Sequence, residues 1–258
     1  MKILLGIPTA NSMTKPFLES LATLVLPAAC TLFDRTVYFG NYVPAQREMI
    51  LREAIERQFD YLLMIDDDVV VPAHAIEALL TIVRSDEQTA VVGGLYYSRD
   101  GLKPMAVENW HSSSTSTAAI PAFTETSANP VSGVGFGCVL IDIAKARTLE
   151  KPFFSPQIFI ESRAHRVRLC NEDYRFCERI TEAGYLVRLA GGVRCGHYER
   201  STDTVMPRAW ESNELTSVRR MIVSEDGLEK LVPFNARVAV APERHETATV
   251  EYLFSGEN

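Results

Sequence analysis

The apolar run Tyr61-Leu62-Leu63-Met64-Ile65 ends in three consecutive carboxylates, Asp66, Asp67 and Asp68, before the chain continues Val69-Val70-Val71-Pro72. Three adjacent like charges repel one another, and desolvating any of them without a partner is costly. A divalent cation is the simplest compensation. Residues two apart on a strand share a face, so Asp66 and Asp68 can reach one ion together. Asp67 then points the other way, toward a ligand hydroxyl, a backbone amide or solvent.

Other residues add chemistry only in combination. Asn171-Glu172-Asp173 opens a helical stretch closed by Gly184, with Phe176, Cys177 and Ile180 as its buried stripe and Asn171 as its cap. Glu172 and Asp173 in the first turn have two readings. They either answer the helix dipole, or one of them removes a proton from an attacking hydroxyl. His197, in Val193-Arg194-Cys195-Gly196-His197-Tyr198, is a lone histidine whose role depends on its neighbours. Gly133, Gly135 and Gly137 either let backbone approach a ligand closely or mark a bend in a strand. Arg163, His165, Arg166 and Arg168 form the densest basic cluster, read as a solvated loop or as a clamp for an anionic group. Trp110 and His111 are candidate acceptor contacts, with core packing the alternative for the indole.

The elements that must position these residues follow from periodicity. Residues 2 to 8 read as a strand, Pro16 opens a helix to about Ala29, and Thr36 to Gly40 reads as a second strand. An amphipathic helix from Pro44 to Gln58 turns Met49, Ile50, Ala54 and Ile55 to one side. The third strand runs into the aspartates, Pro72 suits the first turn of the next helix, and Ala90 to Gly94 forms a fourth strand. This alternation predicts an α/β protein with a mostly parallel sheet flanked by helices. In such a sheet the aspartates lie at the carboxyl edge, where open α/β sheets bind ligands. Residues 111 to 130, rich in Ser, Thr, Ala and Pro, read as a surface loop or edge strands. A strong strand to Asp142, a short helix to Leu149 and a strand from Tyr185 to Leu189 follow.

Composition bounds the class. The 258 residues suffice for one large α/β domain or two small ones, with a substantial core. A net charge of −7 argues against a surface built throughout to grip nucleic acid. No stretch approaches the roughly 20 apolar residues of a membrane-spanning helix, so no transmembrane segment is expected, and no signal peptide is visible. Five cysteines without Cys-x-x-Cys spacing read as thiols in a reducing compartment, hence a cytoplasmic protein.

Taken in order, Ile7-Pro8-Thr9-Ala10-Asn11, Arg47, Ile65-Asp66-Asp67-Asp68, the Gly133-to-Asp142 strand, Glu172-Asp173 with Phe176-Cys177, and Cys195-Gly196-His197 resemble a GT-A-fold glycosyltransferase of the family 2 type, within the nucleotide-diphospho-sugar transferase superfamily. The resemblance covers roughly residues 1–200, a Rossmann-like catalytic domain. It leaves 201–258 as a C-terminal extension, with Thr216 to Leu231 read as a helix and Thr247 to Phe254 as a strand.

The resemblance implies that Asp66 and Asp68, as a D-x-D motif, hold Mn²⁺ or Mg²⁺ with His197 as a further ligand. It also implies that Pro8, Thr9, Asn11, Arg47, Asp66, Asp67 and Gly135 bind a nucleotide-diphospho sugar, and that Asp173, or else Glu172, is the base. The reaction implied is sugar transfer to an acceptor hydroxyl with inversion. The family's acidic nucleobase contact has no counterpart in Gly40-Asn41-Tyr42-Val43, which leaves the base open. The acceptor also stays open among glycan, lipid, protein and modified nucleobase, as does the oligomeric state. Two alternatives remain at this point. One is a haloacid-dehalogenase-type phosphatase with Asp66 as nucleophile. The other is a non-catalytic relative that binds sugar nucleotides or glycans.

Overall fold

A computed structural model of the protein describes residues 1–10, 12–112, 128–161, 166–207, 219–223 and 229–233, with backbone alone between 159 and 169 and beyond 207. Asn11, residues 113–127, Arg163, His165 and the strand expected at Thr247 to Phe254 lie outside the described residues.

The chain opens β1 (Lys2–Thr9), α1 (Lys15–Ala22), β2 (Leu32–Phe39), α2 (Val43–Glu56), β3 (Tyr61–Ile65), β4 (Val69–Val70), α3 (Ala75–Ser85) and β5 (Thr89–Leu95). After these come β6 (Ala106–Val107), β7 (Ala128–Val131), β8 (Gly133–Val134), β9 (Cys138–Asp142), α4 (Ile143–Ala146), β10 (Gln157–Glu161) and β11 (Arg166–Cys170). The remainder is α5 (Glu172–Glu182), β12 (Leu186–Arg194), β13 (Gly196–Glu199), β14 (Thr204–Met206), β15 (Arg219–Val223) and β16 (Glu229–Pro233).

Seven strands form the central sheet in the order β2-β1-β3-β9-β5-β12-β7. β1, β2, β3, β5 and β12 share one direction, while β9 and β7 oppose it. The sheet is therefore mixed. Among the described residues no helix lies between β5 and β9, so the chain returns antiparallel into the gap between β3 and β5 rather than crossing over to a parallel position.

Alternate residues along the strands feed two apolar layers. Leu4, Leu62 and Met64 join Ile50, Leu51 and Ala54 of α2 and Phe176, Cys177 and Ile180 of α5 on one face. Ile3, Leu5, Leu63 and Ile65 join Phe17 of α1 and Ile76, Leu79, Leu80 and Val83 of α3 on the other. Met49, assigned from periodicity to the buried side of α2, is about half exposed, and Leu51 takes that place in the core.

Three boundaries differ from expectation for local reasons. α1 stops at Ala22, capped at Thr23, and Val25 N–H bonds to Ala73 O instead of extending the helix toward Pro27. Pro72 lies ahead of α3 in a turn that Ala75 N–H closes onto its carbonyl. Where a helix was expected from Thr216 to Leu231, β15 and β16 pair antiparallel. The β-branched Ile222, Val223 and Val232 and the helix-incompatible Pro233 favour that extended form. No described helix is long and apolar enough to cross a membrane.

Candidate active site

The parallel strands end together, so Thr9 of β1, the aspartates after β3, the segment after β5 and Arg194 of β12 share one sheet edge. α2 starts at this edge and delivers Arg47, which is only 4% exposed. Its Nη2 donates to both Asp66 oxygens at 3.0 Å, and its Nη1 donates to Glu172 Oε1 at 2.6 Å. The guanidinium also lies 5.5 Å from the Phe136 ring centroid. Burial opposes its charge, but Asp66, Glu172 and Asp173 outweigh burial and hold it above the ordinary arginine value. Arg47 thus ties the acidic strand terminus to the start of α5.

The three aspartates have different environments. Burial, partly countered by Arg47 and reinforced by Asp68, raises Asp66. The aspartates lie in a turn after β3, closed by Val69 N–H on Asp66 O at 3.1 Å, and not in the extended strand expected; within it Asp67 accepts the Thr9 hydroxyl at 2.5 Å. Its carbonyl accepts Thr14 N–H and Oγ1–H at 3.1 and 3.0 Å. Pro8 is buried within β1 opposite Tyr38, so Thr9 is the residue of that pair that reaches the acidic loop. Asp68, 6% exposed, accepts Arg99 Nη2 at 2.7 Å on Oδ2 and has His197 Nε2 at 3.5 Å from the same atom. Burial pushes this carboxyl up, yet His197 and Arg99 prevail and draw it down to about 2.

His197 arrives through a small sheet of its own. β13 pairs antiparallel with β4, two residues after Asp67, and Tyr198 N–H bonds to Asp68 O at 2.8 Å. His197 Nδ1 lies 2.8 Å from Tyr97 O. A carbonyl only accepts, so Nδ1 carries a proton, which leaves Nε2 as the ring nitrogen facing Asp68 Oδ2 at 3.5 Å. A carboxylate oxygen and a ring nitrogen this close can ligate one cation. The imidazole is oriented as metal-binding histidines usually are, with its second nitrogen on a carbonyl, and a carboxylate with an imidazole suits Mn²⁺ better than Mg²⁺. Asp68 and His197 fit a divalent cation. Asp66, expected to share it, is engaged by Arg47.

Asp173 and Glu172 are 8% and 9% exposed at the first turn of α5. Glu172 is bound to Arg47. Asp173 accepts Tyr174 N–H at 2.7 Å, and burial, with the neighbouring Glu172 charge and against Arg47, raises it to about 7. Asn171 caps α5 by backbone conformation without a side-chain bond. Gly135 is packed rather than open, since a Cβ there would stand 2.2 Å from the Tyr96 hydroxyl. That hydroxyl accepts Gly137 N–H at 3.0 Å, and the Tyr96 ring meets His197 edge-on at 5.7 Å. The close approach that Gly135 and Gly137 permit is therefore that of Tyr96, and that of Gly133 is Tyr174.

Trp110 is partly exposed, 5.7 Å from the ring of Tyr174, the residue after Asp173. Among the described residues one trio of His, Cys, Asp or Glu has ligand atoms all within 4.8 Å, namely His111, Glu178 and Glu182. Glu178 there already accepts Ser112 N–H and Oγ–H at 2.8 and 2.9 Å and Arg175 Nη1 at 2.5 Å, so this group fastens the Trp110–Ser112 segment to α5.

Sequence reasoning missed Arg99, Arg200 and the Tyr97 carbonyl. Arg200 Nη2 approaches Asp67 Oδ2 at 3.8 Å. The available signal was positional: Arg99 follows a parallel strand at the ligand edge, and Arg200 lies three residues past His197.

No protein-family model matches the chain, and no curated protein matches it in sequence. Solved structures do. A197 from STIV superposes with a TM-score of 0.55 at 19% identity, over 95% of this chain and 100% of that one. The crystal structure of GalNAc-T7 with UDP, GalNAc and Mn²⁺ superposes with a TM-score of 0.52 at 14% identity, over 76% of this chain and 44% of that one. The chain therefore spans less than half of the GalNAc-T7 chain. At such identities the likeness establishes architecture alone, and the protein has a GT-A-like fold.

Proposed function

We propose that the protein is a metal-dependent glycosyltransferase that moves a sugar from a nucleotide-diphospho sugar to an acceptor hydroxyl with inversion. The observation that carries this reading is His197 Nε2 standing 3.5 Å from Asp68 Oδ2, with Nδ1 on the Tyr97 carbonyl, at the ligand edge of a GT-A sheet. Mn²⁺ or Mg²⁺ held by Asp68 and His197 would supply charge neutralisation for the departing nucleoside diphosphate.

The remaining chemistry falls to the chain's own side chains. Asp173, raised to about 7, is matched to taking a proton from a hydroxyl near neutral pH. As the acceptor O–H proton passes to Asp173, the oxygen forms a bond to the anomeric carbon. The bond from that carbon to the diphosphate oxygen breaks, and its electron pair leaves with the diphosphate. Arg47 fixes Glu172, and through it the start of α5 on which Asp173 sits, while Thr9 holds Asp67. Asp66, the nucleophile of the phosphatase alternative, has both its oxygens on Arg47 Nη2 at 3.0 Å.

Thermal unfolding with Mn²⁺ and a panel of uridine, guanosine and thymidine diphosphates tests the reading. Stabilisation by a nucleoside diphosphate that requires Mn²⁺ is the expected result. Absence of any such pair would remove the proposal.

A further inference from the structure

Each aspartate of the triplet has its own arginine. Arg47 holds Asp66 at 3.0 Å, Arg200 stands 3.8 Å from Asp67, and Arg99 donates to Asp68 at 2.7 Å. The three arginines are not equivalent. Arg47 is buried among its partners, and Arg200 also donates to Ser12 O and Oγ at 2.8 and 3.2 Å. The Arg99 side chain is 58% exposed, and its hydrogen bond is to Asp68 Oδ2, the oxygen that faces His197 Nε2.

We infer that Arg99 is an exchange residue of this site: it competes with the divalent cation for Asp68 Oδ2 and, when displaced, carries its guanidinium to the diphosphate of the donor. The inference rests on the functional reading above and assigns a role to a residue outside the set expected from sequence.

Three features carry it. A cation between Asp68 Oδ2 and His197 Nε2 uses the same oxygen lone pairs that Arg99 uses, and its charge repels the guanidinium, so the two positive groups cannot both keep close contact with that atom. The backbone around Arg99 is held fast. Ser98 N–H bonds to Lys103 O at 2.8 Å, Gly101 N–H bonds to Ser98 O at 2.7 Å, and Leu102 N–H bonds to Asp100 Oδ1 at 2.9 Å, with Gly101 at φ +73° closing the turn. The exchange is therefore a side-chain swing from a fixed base. Finally, a displaced guanidinium at this edge meets a phosphate group through charge-assisted, paired donors, the geometry in which arginine surpasses lysine. Tyr97, two residues earlier, orients His197 through its carbonyl, so one short segment sets both the imidazole and its competitor.

The test compares the wild-type protein with Arg99→Gln and Arg99→Lys, measuring Mn²⁺ alone by the electron paramagnetic resonance of the free ion and UDP binding at saturating Mn²⁺ by calorimetry. Arg99→Gln is expected to bind Mn²⁺ alone about 1.5- to fivefold more tightly, the range for losing one partly exposed ion pair. It is expected to bind UDP about three- to tenfold more weakly. Arg99→Lys keeps the competing charge, so its Mn²⁺ affinity stays near wild type while UDP binding still weakens. Effects of opposite sign are diagnostic, because a merely structural role lowers both affinities together. If wild type binds Mn²⁺ and Arg99→Gln leaves that affinity unchanged or weaker, the exchange role is overturned alone. If neither protein binds Mn²⁺, the functional reading fails and this inference with it.

Discussion

Arg47 Nη2 stands 3.0 Å from both carboxylate oxygens of Asp66, across 19 residues of sequence. This bond, with the 2.6 Å partner bond to Glu172, joins α2, the acidic strand terminus and α5 through one buried guanidinium. Phe136 lies against the guanidinium, so the charges are compensated by one another more than by water.

Arg47→Met is therefore expected to leave two largely buried carboxylates without a partner. Breaking a buried ion pair from one side costs about 3–5 kcal/mol, and chemical denaturation should show a loss of that order. Arg47→Lys restores charge without the forked geometry and should recover only part of it. A loss below about 1 kcal/mol for Arg47→Met would mean that the clamp does not hold the site together.

Asp173→Asn should leave Mn²⁺-dependent nucleotide binding near wild type while transfer falls by about 10²- to 10⁴-fold, the usual contribution of a general base. Because Asp173 lies near about 7, the wild-type transfer rate should climb through neutral pH as the carboxyl ionises. Unchanged transfer in Asp173→Asn would place the base elsewhere, with Glu172 the next residue to substitute.

The same carboxyl gives a stability signature. An unfolded aspartate titrates near about 3.9, whereas the folded Asp173 is raised to about 7. Between these values the folded protein binds more protons than the unfolded chain, so this residue's contribution to stability falls as pH rises from 4 to 7. Denaturation midpoints across that range should show a flatter alkaline-side decline in Asp173→Asn than in wild type. Identical pH profiles would contradict the raised value.

His197→Ala should weaken Mn²⁺ binding by about 10- to 100-fold, the range for disturbing a ligating histidine or its support. Gly135→Ala should act on the same imidazole indirectly, since its new methyl would collide with the Tyr96 hydroxyl. Displacing Tyr96 disturbs both its bond from Gly137 and its edge contact with His197. A stability loss of about 1–3 kcal/mol is expected from such overpacking, together with weaker Mn²⁺ binding. Weaker Mn²⁺ binding without destabilisation would assign Gly135 to the ligand rather than to Tyr96.

The strand-helix alternation and the position of Asp66, Asp67 and Asp68 at the carboxyl edge are legible in local periodicity, but the aspartates form a turn after β3, so the two-residue strand repeat does not set which way Asp67 faces. The sequence by itself also determined that Glu172 and Asp173 begin a helix. Tertiary structure decided what those residues touch. Periodicity is blind to contacts across a hundred residues or more, so nothing local shows Arg47 meeting Glu172, or Tyr97 O fixing the His197 ring. Likewise, the antiparallel entry of β9 depends on pairing with β3 and β5, distant in sequence from the turn chemistry that a linear reading detects. The division of labour among three chemically identical aspartates is of the same kind. It is set by which groups each one meets in space, Arg47 for Asp66, Arg200 for Asp67, and Arg99 with His197 for Asp68.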